Sequence, residues 1–286
     1  MDEVGLGRQL QAARKKAGLT QQDLCHKAGL SYSTLAKIER GAIKSPSIFT
    51  IQSIAAALGI SLNELMGDLT PRSPAAKKHR SKSGIRFVYF DINGCLVRFF
   101  HRAFTKLAAD TTASADVIET TFWHYNDAVC RGEMALKDFN QTFAKQLGMS
   151  ELDWQQYYLG AVDPIAEMHE LVRWASQNYD VGLLSNIMPG FIEAMLAAKL
   201  LPDIPYAAII DSSAVGAIKP EPKIYEIAAA KAGVPAEEIL LVDDSRANVM
   251  AAEKLGWHVL WFDDFRPEES AARVKNSLEI DSTYRG

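Results

Sequence analysis

The chain lacks a cysteine framework. Its 286 residues hold three cysteines, Cys25, Cys95 and Cys130, and no CxxC pair. So sparse and odd a set excludes a disulfide scaffold or a structural zinc site, and points to a reducing cytoplasm. Apolar runs of about eighteen residues or more are also missing, which excludes a membrane-spanning helix and a membrane partner. The first residues, Met1-Asp2-Glu3-Val4-Gly5, lack the basic and then apolar profile of a secretory signal. No repeat recurs at solenoid spacing. What is present is the composition of folded protein, 48% hydrophobic and 23% charged, at a length that suits two domains.

The net charge of −4 conceals an asymmetry. Residues 1–84 hold 13 Lys/Arg against 6 Asp/Glu, a net +7, and the remainder holds 18 against 29, a net −11. A basic head on an acidic body implies two jobs, with polyanion contact at the head. The two parts meet in residues 67–84, GDLTPRSPAAKKHRSKSG, which are rich in Pro, Ser, Lys and Arg and read as a basic flexible linker.

Residues 1–66 read as five short helices. Leu6, Leu10 and Ala13 recur at helical spacing and Gly18 closes the helix. Thr20 caps a second helix, with Asp23 three residues on, and Gly29 ends it. Ser31 caps a third helix with Leu35 and Ile38 inside. A fourth starts near Ser47, and Ser61 with Glu64 forms a capping box for a fifth. Only Gly29, Leu30 and Ser31 separate helices two and three, the tight turn of a helix-turn-helix. The run GLTQQDLCHKAGLSYSTLAKIERG, followed by SPSIFTIQSIAAALGISLNELM, resembles the lambda repressor-like (XRE-type) family over about residues 4–66. The resemblance implies binding to double-stranded DNA as a homodimer on half-sites about 34 Å apart. Carried over, Ser31, Tyr32, Ser33 and Lys37 reach base edges or nearby phosphates. Gln21 holds a phosphate oxygen and Lys44 adds a phosphate contact, while the linker run KKHRSK reads first as a solubilising linker and second as a DNA arm. Ser31 serves equally as a helix cap.

The body begins with Ile85-Arg-Phe-Val-Tyr-Phe, an apolar run that puts Asp91 at the carboxyl end of a buried strand, where doubly wound folds bind ligands. A second apolar run ends at Ser185-Asn186 and a third at Asp243-Asp244. Ile218-Lys219-Pro220 leads into a helix near Pro222. Three strand ends thus deliver carboxylates and a hydroxyl, and a loop delivers a lysine. This constellation, with the run LLVDDSRANVMAAEKLGW, resembles the haloacid dehalogenase-like (HAD) superfamily over about 85–265, nearest its small sugar-phosphatase-like branch. The implied fold is a doubly wound parallel α/β (Rossmann-like) sheet with a helical C1-type cap over about 98–170. The cap aromatics Trp123, Tyr125, Trp154, Tyr157 and Tyr158 are expected to pack its core. His101, His124 and His169 are expected on the surface or in the cap.

The resemblance assigns roles. Asp91 is the nucleophile that attacks phosphorus. Asp91, Asp243, the backbone carbonyl of Asn93 and Asp244, directly or through water, hold Mg²⁺. Ser185 and the amide of Asn186 bind phosphoryl oxygens, and Lys219 offsets charge between phosphate and Asp91. The chain departs from the family at Asn93, where HAD phosphatases usually carry the aspartate that protonates the leaving group. An amide cannot exchange that proton at neutral pH. Cys95 stands where the family usually has threonine.

Three functions fit. One is a transcriptional regulator whose HAD-like body senses a phosphorylated small molecule with weak or absent turnover. Another is a working Mg²⁺-dependent phosphatase of sugar phosphates or nucleotides with an accessory DNA-binding head. A dehalogenase fits less well, because Lys219 and the Asp243-Asp244 pair favour metal-dependent phosphate chemistry.

Overall fold

The computed structural model describes residues 3–43, 46–60, 78–98 and 101–279. It divides into two compact units, Met1–Pro74 and Ala75–Gly286.

The first unit contains α1 (Glu3–Lys16), α2 (Gln21–Ala28), α3 (Tyr32–Glu39) and α4 (Ile48–Leu58). The expected fifth helix at Ser61–Glu64 lies outside the described residues, as does Lys44. Capping sets the boundaries. Thr20 and Asp23 exchange hydrogen bonds in a full capping box, and Gly29 ends α2 in the left-handed conformation that glycine adopts without a Cβ clash. Leu10, Leu24, Leu35, Ile38, Ile51 and Ile54 form the core. Gly7 lets α1 approach α3 closely, since a Cβ there would stand 2.6 Å from the Ile38 carbonyl oxygen. Beside that contact the buried Arg14 guanidinium donates from Nε and Nη2 to Glu39 at 2.7 and 3.0 Å, and from Nη1 to the Leu19 carbonyl at 2.8 Å. Removing one partner of such a buried pair costs about 3–5 kcal/mol.

The second unit is built on a five-stranded parallel sheet ordered β5-β4-β1-β6-β7. Its strands are β1 (Phe87–Phe90), β4 (Asp180–Ser185), β5 (Ala208–Asp211), β6 (Ile239–Asp243) and β7 (His258–Trp261). Successive side chains point to opposite faces, so one apolar run supplies two cores. Val88, Phe90, Leu240 and Val242 enter one, and Phe87, Tyr89, Ile239 and Leu241 the other. Gly182 is required by packing: a Cβ there would lie 2.5 Å from the Tyr89 ring.

A second, two-stranded antiparallel sheet, β2 (Val97–Arg98) with β3 (Asp163–Pro164), brackets the helical insert. The insert comprises α5 (His101–Ala109), α6 (Ala115–Cys130), α7 (Leu136–Gln146) and α8 (Trp154–Leu159). Residues 166–170, expected in the cap, instead begin α9 (Ala166–Asn178), which packs on β4. His169 is therefore buried on a helix that packs against β4, and not on the surface. The remaining helices are α10 (Phe191–Ala197), α11 (Ser212–Val215), α12 (Pro222–Ala232), α13 (Arg246–Lys254) and α14 (Pro267–Ser277).

The expected linker also changes at its carboxyl end. Residues 78–84 are fastened to the second unit. The Lys78 ammonium donates to the carbonyls of Ser176 and Tyr179, and the His79 amide to that of Asn178. Arg80 pairs with Glu238 and Lys82 with Glu279. These basic groups serve carbonyls and carboxylates of their own unit, which removes the motive for assigning them to DNA phosphate.

Candidate functional site

The strand order places the ends of β1, β4 and β6 side by side, and the chemistry follows from what terminates each strand. Asp91 follows β1 and is buried. Its Oδ1 accepts from the Ile92 amide at 2.7 Å and the Ser185 hydroxyl at 2.8 Å, and lies 3.0 Å from the Lys219 ammonium. These contacts fix the rotation of the carboxylate. Asp243, at the end of β6, receives Lys219 at 2.5 Å on Oδ2. Asn248 of α13 donates to both its oxygens, and the Ser245 amide donates to Oδ1 at 2.8 Å. Lys219 is positioned through its backbone: its amide donates to the Asn186 side chain at 2.7 Å, and its carbonyl accepts from it at 2.8 Å. That exchange ties the loop carrying Lys219 to the end of β4.

One carboxylate oxygen each of Asp91, Asp243 and Asp244 lie within 4.8 Å of one another. Three converging carboxylates are the hard oxygen donors that a divalent cation such as Mg²⁺ takes. Gly94 makes the cluster possible. With φ of +79°, it leaves room where a Cβ would stand 2.0 Å from Asp244 Oδ2. The electrostatics describe a site short of positive charge. Burial pushes the Asp91 carboxyl up to about 6, although Lys219 pulls it down. Desolvation in the cleft, with Asp91 and Asp243 beside it, pushes Asp244 up to about 7. Burial would lower Lys219, but Asp243 and Asp91 outweigh it and hold the ammonium above the usual lysine range.

Asn93 sits in the same cleft. Its Oδ1 accepts the Tyr158 hydroxyl from α8 at 2.7 Å, so the amide oxygen is committed to the cap. An amide so held offers its NH₂ donors and has no exchangeable acid proton. Cys95 is buried with its thiol 3.6 Å from the Val242 carbonyl.

The cleft, of about 240 Å³, runs from these groups to the cap. The cap aromatics divide. Trp154 and Tyr158 belong to the packed core as expected and, with Trp123, also line the cleft, whereas Tyr125 and Tyr157 pack against that core. Tyr158, Gly94 and Asn248 are site residues that sequence reasoning missed. Gly94 carried a signal, its place two residues before the apolar Leu96-Val97 in a tight turn. Tyr158 carried none, being 65 residues from its partner.

In the first unit, Ser31 Oγ accepts the Thr34 amide at 3.1 Å and so caps α3. Tyr32, Ser33 and Lys37 are exposed along α3, with Tyr32 55% accessible. Gln21 opens α2, and its amide donates at 2.8 Å to Glu39, which orients it from the interior ion pair.

The family model described as haloacid dehalogenase-like hydrolase matches residues 85–256, three-fifths of the chain. The chain belongs to the haloacid dehalogenase-like hydrolases. A helix-turn-helix model matches residues 10–65, and the first unit is a helix-turn-helix domain. The HAD part is similar to the phosphoglycolate phosphatase of Yersinia pseudotuberculosis, 28% identical over 183 residues, covering 60% of this chain and 78% of that enzyme. The head is similar to the immunity repressor protein of Bacillus phage phi105, 39% identical over 77 residues, covering 27% of this chain; the match spans 53% of the repressor's length. A HAD family enzyme from Bacteroides thetaiotaomicron, solved with magnesium and inorganic phosphate, shares the fold at a TM-score of 0.53 and 18% identity. That likeness covers 63% of this chain and 96% of the enzyme.

Proposed function

We propose that this protein is a sequence-specific DNA-binding regulator whose HAD-like unit binds Mg²⁺ and a phosphorylated small molecule and turns it over slowly or not at all. The observation that carries the reading is Asn93. It stands in a cleft lined by Asp91, Lys219 and Asp244, with the buried Ser185 and Asp243 bonded to Asp91 and Lys219 behind them, and its amide oxygen is engaged by Tyr158.

Asp91, Asp243 and Asp244 would hold the cation, with the Asn93 backbone carbonyl proposed as a further ligand. When bound, Mg²⁺ supplies positive charge that offsets both the carboxylates and the phosphoryl oxygens. Ser185 and the Asn186 amide would orient the phosphoryl group, while Lys219 neutralises Asp91 at the Oδ1 that Ser185 also contacts. If the Asp91 oxygen attacks phosphorus, the bond from phosphorus to the leaving oxygen breaks, and that oxygen needs a proton. Asn93 can donate a hydrogen bond to it but cannot give the proton up. Recognition therefore outlasts turnover. The likeness to a phage repressor and to a fold neighbour that holds magnesium and phosphate supports both halves.

In the head, Tyr32, Ser33 and Lys37 are proposed to contact DNA, with Gln21 and Lys44 adding phosphate contacts and Ser31 capping the helix that carries them. A homodimer on paired half-sites would let a ligand-linked coupling of about 1–3 kcal/mol control occupancy. Selection of duplexes from a random-sequence pool by the full chain tests this reading. Enrichment of a shared motif supports it, and binding no better than to non-specific DNA rejects it.

The intact nucleophile and metal-ligand set, together with the phosphatase relative, favour a second reading, an active Mg²⁺-dependent phosphatase with an accessory DNA-binding head. Release of phosphate from sugar phosphates and nucleotides at above about 1 s⁻¹ would select it.

A further inference from the structure

The cap side of the cleft constrains the ligand's organic moiety. Phe122, Trp123, Trp154 and Tyr158 of the insert line it, with Ile187, Met188 and Phe191 from the segment after β4 beside them. Trp123 is 46% accessible, and its indole N–H is turned to Glu119 at 3.3 Å, which leaves an aromatic surface facing the cleft. The polar side chains that α6 brings to the cleft are Asn126, the exposed Asp127 and Cys130; the Cys130 thiol donates to Asn126 and the Asn126 amide to Asp127.

Charge is distributed unevenly. Among the described residues lining the cleft, the one cation is Lys219, and it is buried between Asp91 and Asp243. Arg131, which follows Asp127 by four residues and ends the same helix, is turned away: its Nε and Nη2 donate to Glu221 at 2.9 and 2.6 Å. Arg246, beside the cleft residue Ser245, lies over the Trp261 ring at 4.3 Å. The phosphoryl end thus has its cation and the cap end has none, while Asp127 adds a negative charge there. An anionic group in the cap half would lose water, meet no counter-ion and face a like charge. An apolar group would gain burial against aromatic rings.

We propose that the ligand is a small phosphomonoester whose organic moiety is apolar and carries no second anionic group, so that the site selects against phosphorylated carboxylic acids. This rests on the reading above that the phosphoryl group lies at Asp91, Ser185 and Lys219, and it adds the class of molecule attached to it.

The test is calorimetric titration of the full chain with saturating Mg²⁺, using inorganic phosphate, phenyl phosphate and 2-phosphoglycolate. Phenyl phosphate is expected to bind at least about tenfold more tightly than 2-phosphoglycolate. Asp127→Lys is expected to shrink that ratio at least about threefold, because it replaces a like charge with a counter-ion at an exposed position. Trp123→Ala, on a half-exposed ring, is expected to shrink it from the other side, by weakening phenyl phosphate. If inorganic phosphate binds but 2-phosphoglycolate matches or exceeds phenyl phosphate, the inference is overturned and the phosphate site stands. An unchanged ratio in both variants overturns it too. If neither phosphate nor any ester binds, the reading beneath it falls, and this inference falls with it.

Discussion

Replacing Asn93 with aspartate should convert a poor phosphatase into a better one. The substitution keeps size and shape, and the Tyr158 hydroxyl that now donates to Oδ1 at 2.7 Å can donate equally to a carboxylate oxygen. The second oxygen then replaces the amide nitrogen on the cleft side. Asp91 and Asp244 already have raised pKa values from burial, with Asp243 beside both and Asp91 beside Asp244 adding to it. An aspartate among them should also be raised, which suits a group that must first carry a proton and then remove one. General acid–base catalysis contributes about 10²–10⁴-fold, equivalent to roughly 3–5 kcal/mol of barrier. Phosphate release from phenyl phosphate with saturating Mg²⁺ should therefore rise about a hundredfold or more in N93D. Tyr158→Phe in the N93D background should take part of that gain away, because the new carboxyl loses the donor that orients it. If N93D is no faster than the parent while Mg²⁺ binding persists, the explanation of the departure at this position is wrong.

Three other perturbations probe separate parts of the account. Lys219→Met leaves Asp91 and Asp243 buried without their cation, which should destabilise the metal-free protein by about 3–5 kcal/mol. Urea unfolding checks this, and Mg²⁺ should recover part of the loss; an unchanged midpoint contradicts the assignment. The raised Asp91 and Asp244 carboxyls fix a pH dependence. A carboxyl raised in the folded state stabilises while protonated, so its contribution is full below its unfolded pKa of about 4 and is lost as pH rises through about 6 to 7. The metal-free melting temperature should fall over that window, and Mg²⁺ should restore it most at the alkaline end; a Mg²⁺ effect larger at acid pH would refute the ligand set. In the head, Lys37→Ala should weaken binding to every duplex about equally and flatten the salt dependence by about one unit of slope. A loss confined to one sequence would instead mark Lys37 as a base contact.

What could be read from the residues was whatever is encoded locally. Asp91, Ser185 and Asp243 each end an apolar run, and a buried parallel strand turns that pattern directly into position. The helix-turn-helix was equally legible, because Thr20, Gly29 and Ser31 set its boundaries within a few residues. Long-range placement was not. Periodicity assigns Trp123 and Trp154 to helices but does not say which helix face overlies the sheet, so residues assigned to packing also line the cleft. The contact of Tyr158 with Asn93 and the closeness of Gly94 to Asp244 arise only when the insert and β6 are brought together. His169 misled because histidine is often exposed, whereas α9 buries it. The basic run at 77–82 read as solvated linker, since nothing local reveals that Lys78 reaches carbonyls a hundred residues away.

The most direct test is a single titration of the full chain with inorganic phosphate, with and without Mg²⁺, paired with phosphate release from phenyl phosphate by the same preparation. Saturable phosphate binding that requires Mg²⁺, together with turnover well below about 1 s⁻¹, is the predicted result. Phosphate binding that ignores the cation, or turnover well above that rate with Asn93 in place, would contradict it.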